Sequence, residues 1–143
     1  MAVAWLSFAT HGAEPLRTVA EVRRLRPKEA RAGHPVILRG VVTLAQPGRS
    51  IPLQDGTGGT VVFGIAEEQT PPVGALVEIE DISSAGAFVA GVNARQIRRL
   101  GDAPLPKPVR VDYQELALGR RVYERVELEG IVRRLETARD GVA

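Results

Sequence analysis

The 143-residue chain is 44% apolar and 25% charged, as in ordinary globular domains, and its 4% aromatic content leaves a core of Val, Leu, Ile and Ala. It has no cysteine, which excludes disulfides, thiolate metal sites and cysteine catalysis, and no apolar run nears the roughly 18 residues that cross a bilayer. The net charge is only +2, and the arginine clusters at Arg23-Arg24-Arg26, Arg95-Arg98-Arg99 and Arg133-Arg134 are interspersed with carboxylates such as Glu21, Glu78 and Glu80. Such a mixed-sign distribution reads as a solvated surface before it reads as a phosphate-binding patch.

Residues 1–14 open with an apolar stretch, Ala2 to Ala9, followed by the small residues Thr10, Gly12 and Ala13. They read as a truncated export signal, although the run is short and no Lys or Arg leads it; a frayed terminus or a late frame start is the alternative. The folded part then begins with Thr18 and Glu21 at capping-box spacing. Val19, Val22 and Leu25 follow at helical intervals and Pro27 closes the turn, so a short helix is expected over Thr18–Leu25, with a loose second turn through Ala30. Arg23, Arg24 and Arg26 are expected on its exposed side.

From Pro35 the period becomes two. Val36, Leu38, Gly40, Val42 and Leu44 share one face of the first strand, with Gly40 placed to let it bend. "QPGRS" is a tight turn. Strands Ser50–Gln54 and Thr60–Ile65 then flank "DGTGG". A phosphate loop needs a Lys with Ser or Thr after its last glycine and a helix to follow, whereas Gly59 leads into Thr60, Val61, Val62 and Phe63. The glycines therefore read as a hairpin bend, with Asp55-Gly56 and Gly58-Gly59 expected to supply positive φ angles.

"ALVEIEDI", Ala75 to Ile82, alternates with Val77 and Ile79 inward and Glu78 and Glu80 outward, and "SSAGA" is expected to turn the chain. Phe88–Leu100 reads as a long strand interrupted near Gly91. A Pro-rich linker over 104–110 ends this domain, which spans 15–103. "HPVILRGVV", His34 to Val42, then aligns without gaps on "ERVELEGIV", Glu124 to Val132, and a helix candidate, "DYQELALG", precedes the second stretch. Residues 111–143 therefore read as the incomplete start of a second copy.

The expected fold is all-β: a five-stranded OB-like barrel with a short N-terminal helix, followed by that truncated second copy. "LQDGTGG", Leu53 to Gly59, resembles the Asp-Gly-Thr-Gly hairpin of many OB-fold domains. The order from "TVAEVRRL" through "LQDGTGGTVV" to "VELEGIV" is similar to tandem OB-like modules in the extracytoplasmic N-terminal regions of bacterial sensor histidine kinases and related membrane signalling proteins. That resemblance spans roughly Leu16 to Arg133. It implies a periplasmic or extracytoplasmic sensory part in a two-component system, joined to a membrane only through a segment outside this chain. Without an export signal at 1–14, a cytoplasmic location is expected instead.

No constellation points to catalysis. Glu78 and Glu80 follow from strand alternation alone, as do Glu127 and Glu129, and His34 at a strand entry reads as a surface imidazole. The expectation is a non-catalytic module without cofactor or metal that binds a protein partner or a small ligand. Single-stranded nucleic-acid binding is the alternative, since OB barrels use strands two and three for it, and Arg49, Arg95, Arg98 and Arg99 keep it open. For either ligand class the expected face is the groove around Arg49, Gln54, Asp55, Phe63 and Phe88, with Arg95 at its edge.

Overall fold

The computed structural model describes residues 14–134. The export-signal reading of 1–14 therefore lies almost wholly outside the described residues. Helix α1, Val19–Arg24, starts where expected: the Thr18 side chain accepts from the Glu21 N–H, while the Glu21 carboxylate accepts from the Thr18 N–H at 2.9 Å. Helix α2, Pro27–Arg31, takes its proline in the first turn, where the missing N–H costs nothing.

Five strands close the barrel: β1 Pro35–Val42, β2 Ser50–Asp55, β3 Gly58–Phe63, β4 Ala75–Ala85 and β5 Ala90–Asn93. Their order is β1-β2-β3-β5-β4, and β4 returns to pair antiparallel with β1, from Pro35 opposite Ile82 to Val41 opposite Leu76. β3 and β5 run parallel, with Val62 opposite Val92. This is a closed five-stranded OB-like barrel. A further strand, β6 Arg98–Asp102, adds to the edge of β4 with Glu78 opposite Arg98.

β1 serves both neighbours, and Gly40 is where β2 passes close against it. A Cβ there would lie 2.8 Å from Leu53 Cγ and 2.9 Å from the Gln54 carbonyl oxygen, so only glycine lets the strands cross this closely. Val36, Leu38 and Val42 on the same face are fully buried. They meet Ile51, Leu53, Val62, Val77, Ile79 and Val92 in one aliphatic core, as the low aromatic content foretells. Val19, Val22 and Ala30 bring both helices into that core. The Ser83 hydroxyl donates to the Ala30 carbonyl and accepts from the His34 N–H, both at 2.9 Å, tying α2 to the C-terminal part of β4.

Three strand expectations change. β4 runs on through Ser83, Ser84 and Ala85, so the turn shifts to Gly86–Val89 and keeps only the Gly86-Ala87 end of "SSAGA". The expected strand over Phe88–Leu100 divides at Ala94–Ile97: β5 pairs with the far end of β4 and β6 with its near end, and no single straight segment can do both. The segment matching β1, Glu124–Val132, is strand only at β8, Val126–Glu127, which pairs parallel with β7, Val109–Arg110. Helix α3, Tyr113–Ala117, lies between them as "DYQELALG" foretells, capped by Asp112.

The outer face of the β2–β3 hairpin and the strap across it

The β2–β3 hairpin carries the ligand face of OB barrels, and the sequence dictates its tip. Asp55 pairs with Gly58 across a two-residue loop. Its Oδ1 accepts from the Thr57 N–H at 2.6 Å, the Thr57 hydroxyl at 2.7 Å and the Gly58 N–H at 3.1 Å. Its Oδ2 accepts from the Val19 N–H at 2.9 Å, and the Thr57 hydroxyl oxygen accepts from the Ala20 N–H at 2.9 Å. One carboxylate thus closes the turn and satisfies an orphan donor at the start of α1.

The glycines do something other than expected. Among the four residues proposed to adopt positive φ, only Gly58 does so, at +153°. Asp55 turns the chain through its side chain, so Gly56 is not needed for that purpose. Gly59 is required for clearance instead: a Cβ on it would stand 2.1 Å from the carbonyl oxygen of Tyr123, more than sixty residues along the chain.

That contact reveals what covers the hairpin. Residues Arg120–Arg125 cross it as a strap that holds a turn, the Glu124 N–H donating to the Arg121 carbonyl at 3.1 Å. The inward set Ile51, Leu53 and Val62 fills the core, yet the outward residues Pro52, Gln54, Gly59 and Val61 are buried too. Gln54 is only 7% exposed, and its Oε1 accepts from the Arg125 N–H at 3.0 Å. Arg23, expected on the solvated side of α1, turns inward instead. Its Nη1 donates to the carbonyls of Gly59 at 3.0 Å and Val122 at 3.2 Å, and to Glu124 Oε1 at 3.1 Å. Its Nη2 donates to the Arg120 carbonyl at 3.2 Å. The Glu124 side chain, 10% exposed, also accepts from Arg121 at 3.2 Å. Arg125 Nη1 donates to the Pro106 carbonyl at 2.7 Å, which fastens the strap to the Pro-rich linker.

The six residues proposed for one groove fall in three places. Ser50 pairs with Phe63 and Phe63 with Asn93, so Arg49, Phe63 and Arg95 gather at the open end of the hairpin. Arg49 and Arg95 are exposed and Phe63 is half-buried; the Arg95 N–H donates to Asp81 Oδ2 at 3.2 Å. Gln54 and Asp55 lie at the other end, roughly 17 Å away by strand rise. Phe88, 77% exposed in the β4–β5 loop, borders a shallow cleft with Leu116, Leu118, Val122 and Tyr123.

Glu78 faces outward as the alternation requires, but between two cations. It accepts from Arg39 Nε at 2.5 Å and pairs with Arg98. Those two bonds, Arg98's the larger, hold its carboxyl below the ordinary glutamate value of 4.5. Among the described residues no three His, Asp or Glu side chains converge in the way metal ligands do, and no helix is long and apolar enough to cross a membrane.

Fold and site together define a small OB-like barrel in which polypeptide covers the outer face of the β2–β3 hairpin. No family model matches the chain, and no curated protein matches it significantly. Among solved structures it is similar to the hypothetical protein ygiW from E. coli, at 21% identity and a TM-score of 0.48, over 61% of this chain and 91% of that one. It is also similar to an aspartyl-tRNA synthetase-like chain from Leishmania major Friedlin, at 15% identity and a TM-score of 0.46, over 76% of this chain and 24% of that one.

Proposed function

We propose that the chain is a non-catalytic OB-like module that binds protein, serving as the extracytoplasmic sensory part of a signalling protein of the sensor histidine kinase type. The observation that carries this reading is the covered face of β2 and β3: Gln54 and Gly59, which would lie under a ligand, lie under Arg120–Arg125. A single-stranded nucleic acid needs that face open, with aromatic platforms along it. Here it receives main-chain groups of a polypeptide. The loops that flank the face are short, and Glu78 engages Arg39 and Arg98, two of the cations a phosphate backbone would seek. The extracytoplasmic placement is supported by the resemblance drawn from "TVAEVRRL" through "VELEGIV".

Nucleic-acid binding is the second reading, favoured by Arg49 and Arg95 beside half-buried Phe63 at the open end of the hairpin. Filter binding of the chain to labelled oligonucleotides over a range of salt separates the two. No retention is expected at any salt concentration. Micromolar affinity falling steeply with salt would overturn the protein-binding assignment.

A further inference from the structure

We propose that the channel between α1 and the β2–β3 hairpin is a receptor for a peptide turn carrying a glutamate, and that Arg120–Arg125 is a built-in occupant competing for it. This rests on the protein-binding reading above and names the ligand class of that same face.

The channel addresses main chain rather than side chains. Arg23 donates to the carbonyls of Arg120 and Val122, and Gln54 accepts from the N–H of Arg125. Gly59 removes the Cβ that would stop the occupant's backbone from touching the sheet. None of these contacts reads the identity of residues 120, 122 or 125. The channel reads a strap side chain through the ion pair of Arg23 with Glu124, both largely withdrawn from solvent at 20% and 10% exposure. Main-chain donors and acceptors give affinity and one charged position gives selectivity, a division of labour seen in other clefts that read peptide main chain.

The built-in occupant fits imperfectly. Tyr123 is held at φ +63°, among the described residues the only non-glycine residue with positive φ. A tyrosine in that region stores backbone strain, and such strain marks a contact able to release. Its tether raises its local concentration to roughly the millimolar range, so a free peptide competes poorly until the strap is weakened.

The probe is a fluorescein-labelled peptide of the strap sequence, RRVYERV, titrated by polarisation against the whole chain and its Glu124→Arg variant. The substitution sets Arg against Arg23 outside the aliphatic core. Amide exchange at Arg125 reports whether the strap has lifted. The variant is expected to exchange that amide at least about tenfold faster and to bind the peptide at least about tenfold more tightly than the unaltered chain. Gln in place of the peptide's Glu, or Arg23→Ala added to the variant, should remove most of that binding. A lifted strap without peptide binding overturns the proposal. So does a strap that stays protected in Glu124→Arg, or binding indifferent to Arg23. An unlabelled oligonucleotide that binds the chain and displaces the peptide brings down the protein-binding reading itself; silence with both ligands brings down only the peptide receptor.

Discussion

Gly59→Ala tests whether this glycine exists to admit the strap or to shape the barrel. An added Cβ would stand 2.1 Å from the Tyr123 carbonyl oxygen, 2.4 Å from its carbon and 2.9 Å from the Glu124 nitrogen, where ordinary contact begins at 3.4 Å. The gap is short by 3.4 − 2.1 = 1.3 Å, and all three opposing atoms are main chain. β3 is held in register with β2 along its whole length and with β5 at its end, so the strap is the partner that moves. A shift of that size would break the 3.0 Å bond from Arg125 to Gln54 and loosen those from Arg23 to Val122 and Arg120. At about 1 kcal/mol for the neutral bond and about 1.5 kcal/mol or more for a charged one, the strap loses about 3 kcal/mol of docking free energy. Every 1.4 kcal/mol is tenfold, so Arg125 amide exchange should accelerate by roughly a hundredfold. The barrel itself should hold or gain slightly, since alanine is better than glycine in a strand by about 0.5–1 kcal/mol. Amides of β1 and β4, at Leu38 and Val77, should therefore keep their protection. Unchanged exchange at Arg125 would refute the clearance argument. Loss of protection in β1 and β4 in step with Arg125 would show that Gly59 serves the barrel instead.

The other predictions concern the barrel and its turn. Gly40→Ala should destabilise by about 1–3 kcal/mol in urea unfolding, because Leu53 and the Gln54 backbone already fill the space a Cβ needs; Gly56→Ala, with nothing within 4 Å, should be neutral or gain about 0.5 kcal/mol. Asp55→Ala removes the acceptor shared by the N–H groups of Val19, Thr57 and Gly58 and should cost about 2–3 kcal/mol; a loss under about 1 kcal/mol would mean the turn closes without it. Acid should weaken the fold through Glu78, held low chiefly by Arg98 and then Arg39, and through Glu21, held low chiefly by the Arg17 N–H and then that of Thr18. Both folded values lie below the ordinary 4.5, so their stabilisation is fully present above that pH and is lost as pH falls through the lowered values. Melting temperatures should be flat in this respect from neutral to about pH 5 and fall below it, less steeply in Glu78→Gln; an identical acid limb in that variant would remove Glu78 from the explanation.

The barrel was legible because its cause is local. Alternation from Pro35 fixed which face of β1 is buried, the capping box at Thr18 and Glu21 marked the start of α1, and the β-branched run after Gly59 ruled out a phosphate loop. Where local pattern competed with a distant partner, it misled. Nothing near Arg23 distinguishes it from Arg24 or Arg26, yet acceptors on Arg120, Val122 and Glu124 turn it away from solvent. Nothing near Gly59 announces Tyr123, and a run of glycines invites a conformational reading when the need is steric. The division of Phe88–Leu100 follows from the length of β4, whose two ends demand separate partners. The sequence alone puts Gln54 in an open groove; its pairing with Gly59 and its burial on the outward face come from the structure. A buried amide opposite a glycine on a barrel's outer face needs a polar partner, here the Arg125 N–H, because an amide left dry and unpaired there costs more than the fold gains by covering it.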